Sequence, residues 1–390
     1  NIFNGGLHAL KKGETLGIDR IHIQEVMVAL KAGTYQEALT MGDNIDAALK
    51  KILLSAFEPG RISRADEAGF TVKGLGDSDK AIEYVFQAVQ EAGYKPGRDE
   101  ETGREVRLAL DVAATTFDPD HTGTYDFMGE KTSDAMIAYY EGLEKKYGDL
   151  LLSVEDGLGE NDWVGWQKLT ASLRPKGVKT IGDDLFVTQL PRFRKGLVQK
   201  AADTILIKVN QNGTMTGTLD VMKEAKRNGY QAVVSHRSGE TMDTTIADLA
   251  YGTNAFGLKT GDPQPDYDFG PGGEYAGQPL VRRAKYAQMV NLESASSPVE
   301  EIKVRMSDQA VTIKVSKEVN LEKPGMVLAT VTIVRHGQKS GLHLQTFIRR
   351  PLAEMPIDTA WAVNDRLRNR NLADDAVYYE SPVILDTLSD

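Results

Sequence analysis

The sequence predicts an α/β fold of the parallel-barrel kind, followed by a small α+β domain. Three observations predict it. Helix-like and strand-like segments alternate from residue 34 to about 290, the strand-like segments are continuous apolar runs, and almost every run ends in a charged residue. Strands that read as unbroken apolar runs are buried on both faces. Repeated strand–helix units imply parallel strands joined by helical crossovers. In a parallel barrel the C-terminal ends of all strands open on one face, so the charges that close the runs would meet there.

The elements follow in order. A first helix is predicted over 34–54, with Thr34 and Glu37 at capping-box spacing and Ile45, Leu49 and Ile52 at helical period. A second covers 78–92 and is closed by Gly93. A third covers 132–147 and stops at Gly148; a fourth covers 218–228 and stops at Gly229. Strands are predicted at 106–112, 149–155, 203–209 and 231–236. The composition changes near residue 294. The SASSP stretch (294–298) reads as a linker, so the barrel is placed at 1–293 and a linker at 294–305. Alternating runs at 310–317, 326–334 and 342–348 predict strands, and 356–371 reads as a helix. Residues 306–390 are therefore expected to form the α+β domain. Met306-Ser-Asp-Gln resembles a start site, which hints at a fused neighbouring reading frame.

Composition removes several classes of function. A chain of 390 residues has room for one large barrel and a smaller domain. With no cysteine, disulfides, thiolate metal sites and cysteine nucleophiles are excluded, and a cytoplasmic location is expected. The formal net charge of -10 argues against nucleic acid or an anionic membrane as partner. An anionic substrate would need local cations. No run approaches the roughly 20 apolar residues of a membrane span. No signal peptide opens the chain, and Asn1 in place of Met reads as a fragment or processed form.

The charged run-ends carry the chemistry. LALDV ends on Asp111, LLLSVED on Glu155 and Asp156, KTIGDD on Asp183 and Asp184, and TILIKVN carries Lys208. AVVSHRSGET ends on His236, Arg237 and Ser238, FGLKTG on Lys259, and RADEAGF supplies Asp66 and Glu67. Singly, each has a bland reading. An acid after a strand is most often a helix N-cap, and Asp156 and Asp184 are expected either to cap or to support the neighbouring site residues. Lys208 alone reads as a snorkelling side chain and His236 alone as a satisfied core histidine. Seven such endings on successive strands point instead to one site. Asp111, Glu155 and Asp183 offer three hard oxygen ligands suited to Mg²⁺. Lys208, His236, Arg237 and Lys259 offer cations for a phosphate and a carboxylate. A lysine beside a metal and other cations has a depressed pKa and can act as a base near neutral pH, with Glu67 available as the acid for a leaving hydroxyl.

At these residues the chain resembles enolase, the phosphopyruvate hydratase family. The matching stretches include NIFNGGLHA, QEVM, DEAGF, LALDVAA, SVEDGLGENDWVGW, IGDDLFVT, ILIKVNQNGT, VVSHRSGETMDTTIADLA, LKTG and AKY, colinear over about 1–293. SHRSGET and IKVNQ are the most specific. The resemblance implies an enolase-type (β/α)8 TIM barrel that opens ββαα. It implies Mg²⁺ on Asp111, Glu155 and Asp183, and Lys208 as the base beside the substrate carboxylate. Glu67 would be the acid for the hydroxyl at C3, assisted by Glu25, with His236 completing the catalytic set. His8, Arg237, Ser238 and Lys259, with His236, would hold the phosphate and carboxylate. A cytoplasmic homodimer acting on a small phosphorylated carboxylate is implied.

Departures are also visible. The family's amino-terminal domain, whose loop carries a metal-binding serine, is not in this sequence. The segment LKKGETLGIDRIHI looks longer than usual, DEGGFAP becomes DEAGFTV, and 262–283 forms an insertion rich in Pro, Gly and acids. These differences, with the extra carboxyl domain, point to a paralogue with altered substrate, for example in phosphonate metabolism. A non-catalytic binding protein on this scaffold is the remaining reading, opposed by the intact Lys208 and Glu67, because a retired site has no use for buried charges.

Overall fold

The computed structural model describes residues 1–65, 67–262, 278–296, 300–306, 309–319, 326–335, 342–349 and 377–378. The chain divides into two compact units, Asn1–Met289 and Val290–Asp390.

The strands of the first unit are β1 (Phe3–Asn4), β2 (Glu25–Lys31), β3 (Ile62–Arg64), β4 (Phe70–Val72), β5 (Gly97–Arg98) and β6 (Glu105–Asp111). A separate hairpin, β7 (Thr124–Asp126) and β8 (Glu130–Thr132), precedes β9 (Leu151–Glu155), β10 (Lys179–Gly182), β11 (Thr204–Ile207), β12 (Gln231–Ser235) and β13 (Gly257–Lys259). The helices are α1 (Gly6–Ala9), α2 (Tyr35–Ala56), α3 (Ser78–Glu91), α4 (Ser133–Tyr147), α5 (Trp163–Leu173), α6 (Leu190–Gln199), α7 (Val209–Asn212), α8 (Met215–Arg227), α9 (Thr245–Thr253) and α10 (Gln278–Ser296).

The sheet order is β13-β12-β11-β10-β9-β6-β2-β1-β4-β3. β2 runs antiparallel to β1 and β6, and every ladder from β6 through β13 is parallel. The sheet must curl. β13 and β6 are five ladders apart along the order, which would be about 24 Å in a flat sheet at roughly 4.8 Å per strand. Yet Lys259 at the end of β13 reaches Asp111 at the end of β6 at 2.8 Å. The two arms also meet directly, since the Asp262 N–H donates to the Glu67 carbonyl at 3.0 Å. A curled mixed sheet wrapped by helices is the barrel-type α/β architecture the apolar runs predict.

Local chemistry explains the boundaries. Thr34 caps α2 by accepting the Glu37 N–H. The Glu37 carboxylate takes the Gly33 N–H at 3.0 Å, one residue earlier than a standard capping box. α8 starts at Met215, before the predicted 218, because Thr214 caps it through the Gly217 N–H. The predicted strand 149–155 loses its start to the turn Gly148–Leu150, and β11 stops at Ile207 because Lys208 is the N-cap of α7. Leu108, Leu110, Val154, Ile205 and Val234 from the strands pack in one core with Leu49, Val85, Leu169, Phe193 and Val221 from the helices. Each such side chain contributes roughly 1.5–3 kcal/mol on full burial.

The second unit contains β14 (Glu300–Met306), β15 (Gln309–Val319), β16 (Met326–Arg335), β17 (Leu342–Arg349) and β18 (Val377–Tyr378). The first four form an antiparallel meander and β18 joins β17 in parallel. Two expectations change. The stretch read as a linker at 294–305 holds the end of α10 and most of β14, because the serines extend the helix and EEIKVRM alternates as a strand does. Met306 pairs with Gln309 inside one hairpin, so the second unit does not begin there. The helix expected at 356–371 lies outside the described residues. Among the described residues no helix is long and apolar enough to cross a membrane.

Candidate active site

The predicted residues arrive at one rim because of strand register. Glu25 on β2 is paired with Asp111 on β6, and Asp111 with Glu155 on β9. Asp183, Lys208 and His236 each follow the last residue of β10, β11 and β12, and Lys259 ends β13. Glu67 sits on the turn between β3 and β4. Asp66, quoted beside it from the sequence, lies outside the described residues.

Lys259 is the hub. Its Nζ lies 2.8 Å from Asp111 Oδ2, 2.8 Å from Glu155 Oε1 and 3.2 Å from Glu25 Oε2, all buried. Burial opposes its charge, but Asp111, Glu155, Glu25 and Glu67 outweigh that and hold the ammonium far above the usual lysine range. The sequence placed Lys259 among cations offered to the substrate; the structure commits it to three carboxylates.

Lys208 forms an ion pair with Asp183, whose other oxygen accepts from Gln211 Nε2 at 3.3 Å. Burial lowers the Lys208 pKa, but Asp183 more than offsets it and the net shift is upward. This corrects the expected depression: the nearest charge is a carboxylate, not a cation.

Glu25 and Glu67 form a carboxyl pair. Burial, then the Glu67 charge, pushes Glu25 well above the usual range, so Glu25 carries the shared proton. Burial pushes Glu67 up too, but His236, the hydrogen bond from Glu25 and Lys259 outweigh it and leave Glu67 ionised. Burial drives His236 down to about 4, so its pull on Glu67 at neutral pH is that of an N–H dipole, not a full charge. The tautomer follows from its other side. Arg282 donates to Nδ1, which leaves the ring proton on Nε2, 3.5 Å from Glu67 Oε2. His236 Nε2 and Glu25 Oε2 are buried, and each faces a charged partner, Glu67 at 3.5 Å and Lys259 at 3.2 Å.

Arg282 was missed at the sequence level. It also donates to the carbonyls of Arg237 (2.9 Å) and Ser238 (2.7 Å), so α10 grips the loop after β12. Lys285 donates to the Thr241 carbonyl and Tyr286 to that of Gly261. The only local signal was the AKY stretch just beyond it. Ser238 Oγ is 3.5 Å from Glu67 Oε1. Arg237 is exposed and reaches Asn210, and His8 is exposed on α1 with no hydrogen bond or ion pair to the other site side chains. The structure therefore gathers nine of the eleven predicted side chains, Lys208, Asp183, Glu67, Glu25, His236, Ser238, Lys259, Glu155 and Asp111, and leaves His8 and Arg237 at the edge.

Of the three acids expected to hold Mg²⁺, Asp183 clusters with two other aspartates. Oxygens of Asp156, Asp183 and Asp184 lie within 4.8 Å of one another, whereas Asp111 and Glu155 are drawn onto Lys259. Asp156, at φ 41°, accepts the backbone N–H groups of Asp183 (2.9 Å) and Asp184 (2.8 Å) and so orients both. The donors fit a hard divalent cation, being oxygens without sulfur or imidazole. Their crowding supports the fit. Burial, with Asp111 and Asp183, pushes Glu155 up to about 8 against the pull of Lys259, and burial with Asp183 pushes Asp184 up to about 6.

The fold and rim define an α/β-barrel protein with an acidic, lysine-bearing site that fits a divalent cation. Residues 1–266 match the family described as "Enolase, C-terminal TIM barrel domain", and the chain belongs to that family.

A stability test follows. Glu155 and Asp184 titrate in the folded protein at about 8 and about 6, above their ordinary 4.5 and 3.8. The folded state then binds more protons than the unfolded chain, so this contribution is present at low pH and is lost as pH rises through 6 to 8. A bound cation favours the ionised forms. Mg²⁺ at 100 times its Kd is expected to stabilise by about 2.7 kcal/mol, on the order of 5 °C in Tm. At one fixed Mg²⁺ concentration, calorimetry should show a larger gain at pH 8 than at pH 5.5; equal gains would argue against cation binding by these acids.

Proposed function

We propose that the chain catalyses reversible, Mg²⁺-dependent removal of water from 2-phosphoglycerate to give phosphoenolpyruvate. The observation that supports this most is the Glu25–Glu67 pair, which stores one proton between buried carboxylates on the same rim as the buried Lys259 and the partly buried Lys208. A proton next to a carboxylate is very weakly acidic, because its removal adds charge to a group already negative. A divalent cation held by Asp183 and its neighbours would supply Lewis-acid stabilisation of that charge and relieve the carboxylate pull that keeps Lys208 protonated. Lys208 takes the proton at C2. Glu25 passes its proton to the ionised Glu67, which delivers it to the departing C3 hydroxyl. His236, fixed in its Nε2–H form by Arg282, keeps Glu67 in place. Arg237 and His8, at the exposed edge, meet the phosphate and carboxylate.

A second reading, a paralogue acting on a phosphono acid, draws support from the insertion at 262–283, which starts three residues after Lys259. One experiment separates them. The full-length protein is assayed for enol product absorbance with and without Mg²⁺, on 2-phosphoglycerate and on a phosphonate analogue. Mg²⁺-dependent turnover of 2-phosphoglycerate supports the first reading, and turnover of the phosphonate alone supports the second. Turnover of neither rejects both in favour of a binding protein on this scaffold.

A further inference from the structure

The turn that carries Glu67 is held from outside by a partly buried arginine that the proposed chemistry does not use. Residues 65–69 connect β3 to β4 and are closed by the Ala65 N–H on the Gly69 carbonyl and the Ala68 N–H on the Ala65 carbonyl, each 2.9 Å. Ala68 lies at φ 67°, a left-handed conformation that a residue with a Cβ resists. Something must keep it there.

Arg64 ends β3 and folds back over this turn. Its guanidinium stacks on Phe70, 3.6 Å from the ring centroid. It forks onto Asp46 of α2 at 2.7 and 2.8 Å, and its Nη1 reaches Asp262 at 3.0 Å and the Ala68 carbonyl at 2.9 Å. Asp262 in turn donates its N–H to the Glu67 carbonyl. The approach is close: a Cβ on Gly261 would lie 2.7 Å from that carbonyl oxygen. Two successive carbonyls of the turn, those of Glu67 and Ala68, are thus fixed by one network of Asp46, Arg64 and Asp262. The acids are 3% and 2% exposed, so the guanidinium is the counter-charge of two buried carboxylates and its fork geometry is constrained.

We propose that Arg64 is a positioning residue for the Glu67 carboxylate, acting by holding Ala68 in its left-handed conformation and by tying the turn to Asp262 after β13. This rests on Glu67 being the proton donor of the proposed reaction.

The test uses R64Q and R64K, each with and without A68G, in the full-length protein. Displacing a catalytic group by about 1 Å costs on the order of 100-fold in rate. R64Q is expected to lower kcat by about that factor with little change in KM, and R64K by less, because it keeps the charge but loses the fork. A68G removes the need for the clamp, since glycine adopts positive φ freely, and is expected to restore kcat at least tenfold in either background. Loss without rescue by A68G, or no loss, would overturn the proposal. R64K guards against R64Q failing to fold around two unpaired acids. Should 2-phosphoglycerate not be turned over at all, the crystal structure of R64K decides: the proposal requires Ala68 to leave positive φ and the Glu67 carboxylate to move from His236, and an unchanged turn rejects it.

Discussion

Lys208→Ala is expected to lower kcat for dehydration by roughly 10²–10⁴-fold, the range a positioned general base supplies. Exchange of the C2 proton with deuterated water, followed by NMR, should fall in parallel, because it reports proton removal without loss of the hydroxyl. Lys208→Arg separates base from charge. It keeps a cation against Asp183, so the ion pair that Lys208 makes there is replaced and the fold is retained. A guanidinium does not deprotonate in a protein, so the arginine variant should be as inactive as the alanine one. An active Lys208→Arg protein would show that Lys208 serves only to neutralise Asp183, and the base would have to be sought elsewhere on the rim.

The parts of this site legible in the sequence are those that local pattern encodes. A continuous apolar run followed by a charge fixes both the strand and the rim on which the charge emerges, which is why Asp111, Glu155, Asp183, Lys208, His236 and Lys259 could be named together. One cap was equally readable: Thr34 sits where its hydroxyl accepts the N–H of Glu37. Partnership between side chains was not readable. Lys259 finds Asp111 across 148 positions and Glu155 across 104, and no periodicity distinguishes a lysine that waits for substrate from one that neutralises acids. Arg282 and His236 are 46 positions apart, with the arginine at the far end of the 262–283 insertion. Arg64 is similar: its value comes from Asp46 on one element and Asp262 on another. The linker reading failed for a different reason. Serine and proline composition is a weak signal beside a helix that can run on through Ser296 and a strand whose alternation begins at Glu300.

The role of Lys259 yields the other large effect. Replacing it by Met removes the cation from among Glu25, Asp111 and Glu155, all buried. Breaking a buried pair by deleting one partner costs roughly 3–5 kcal/mol, and the loss should appear in denaturant unfolding at pH 8 without divalent cation. The pH dependence has a definite sign. Glu25 and Glu155 already sit above the usual carboxylate range, and Lys259 pulls both downward. Without it they rise further in the folded state, which then binds more protons than the unfolded chain. Stability of the variant is therefore greatest below the unfolded carboxylate values and falls as pH rises through the folded ones, more steeply than in the parent protein. The same three acids, relieved of an ammonium, should attract a divalent cation more strongly, so Mg²⁺ should raise the Tm of Lys259→Met more than that of the parent. A variant equally stable at pH 6 and pH 8, with no added response to Mg²⁺, would mean that Lys259 is not what balances the acidic rim.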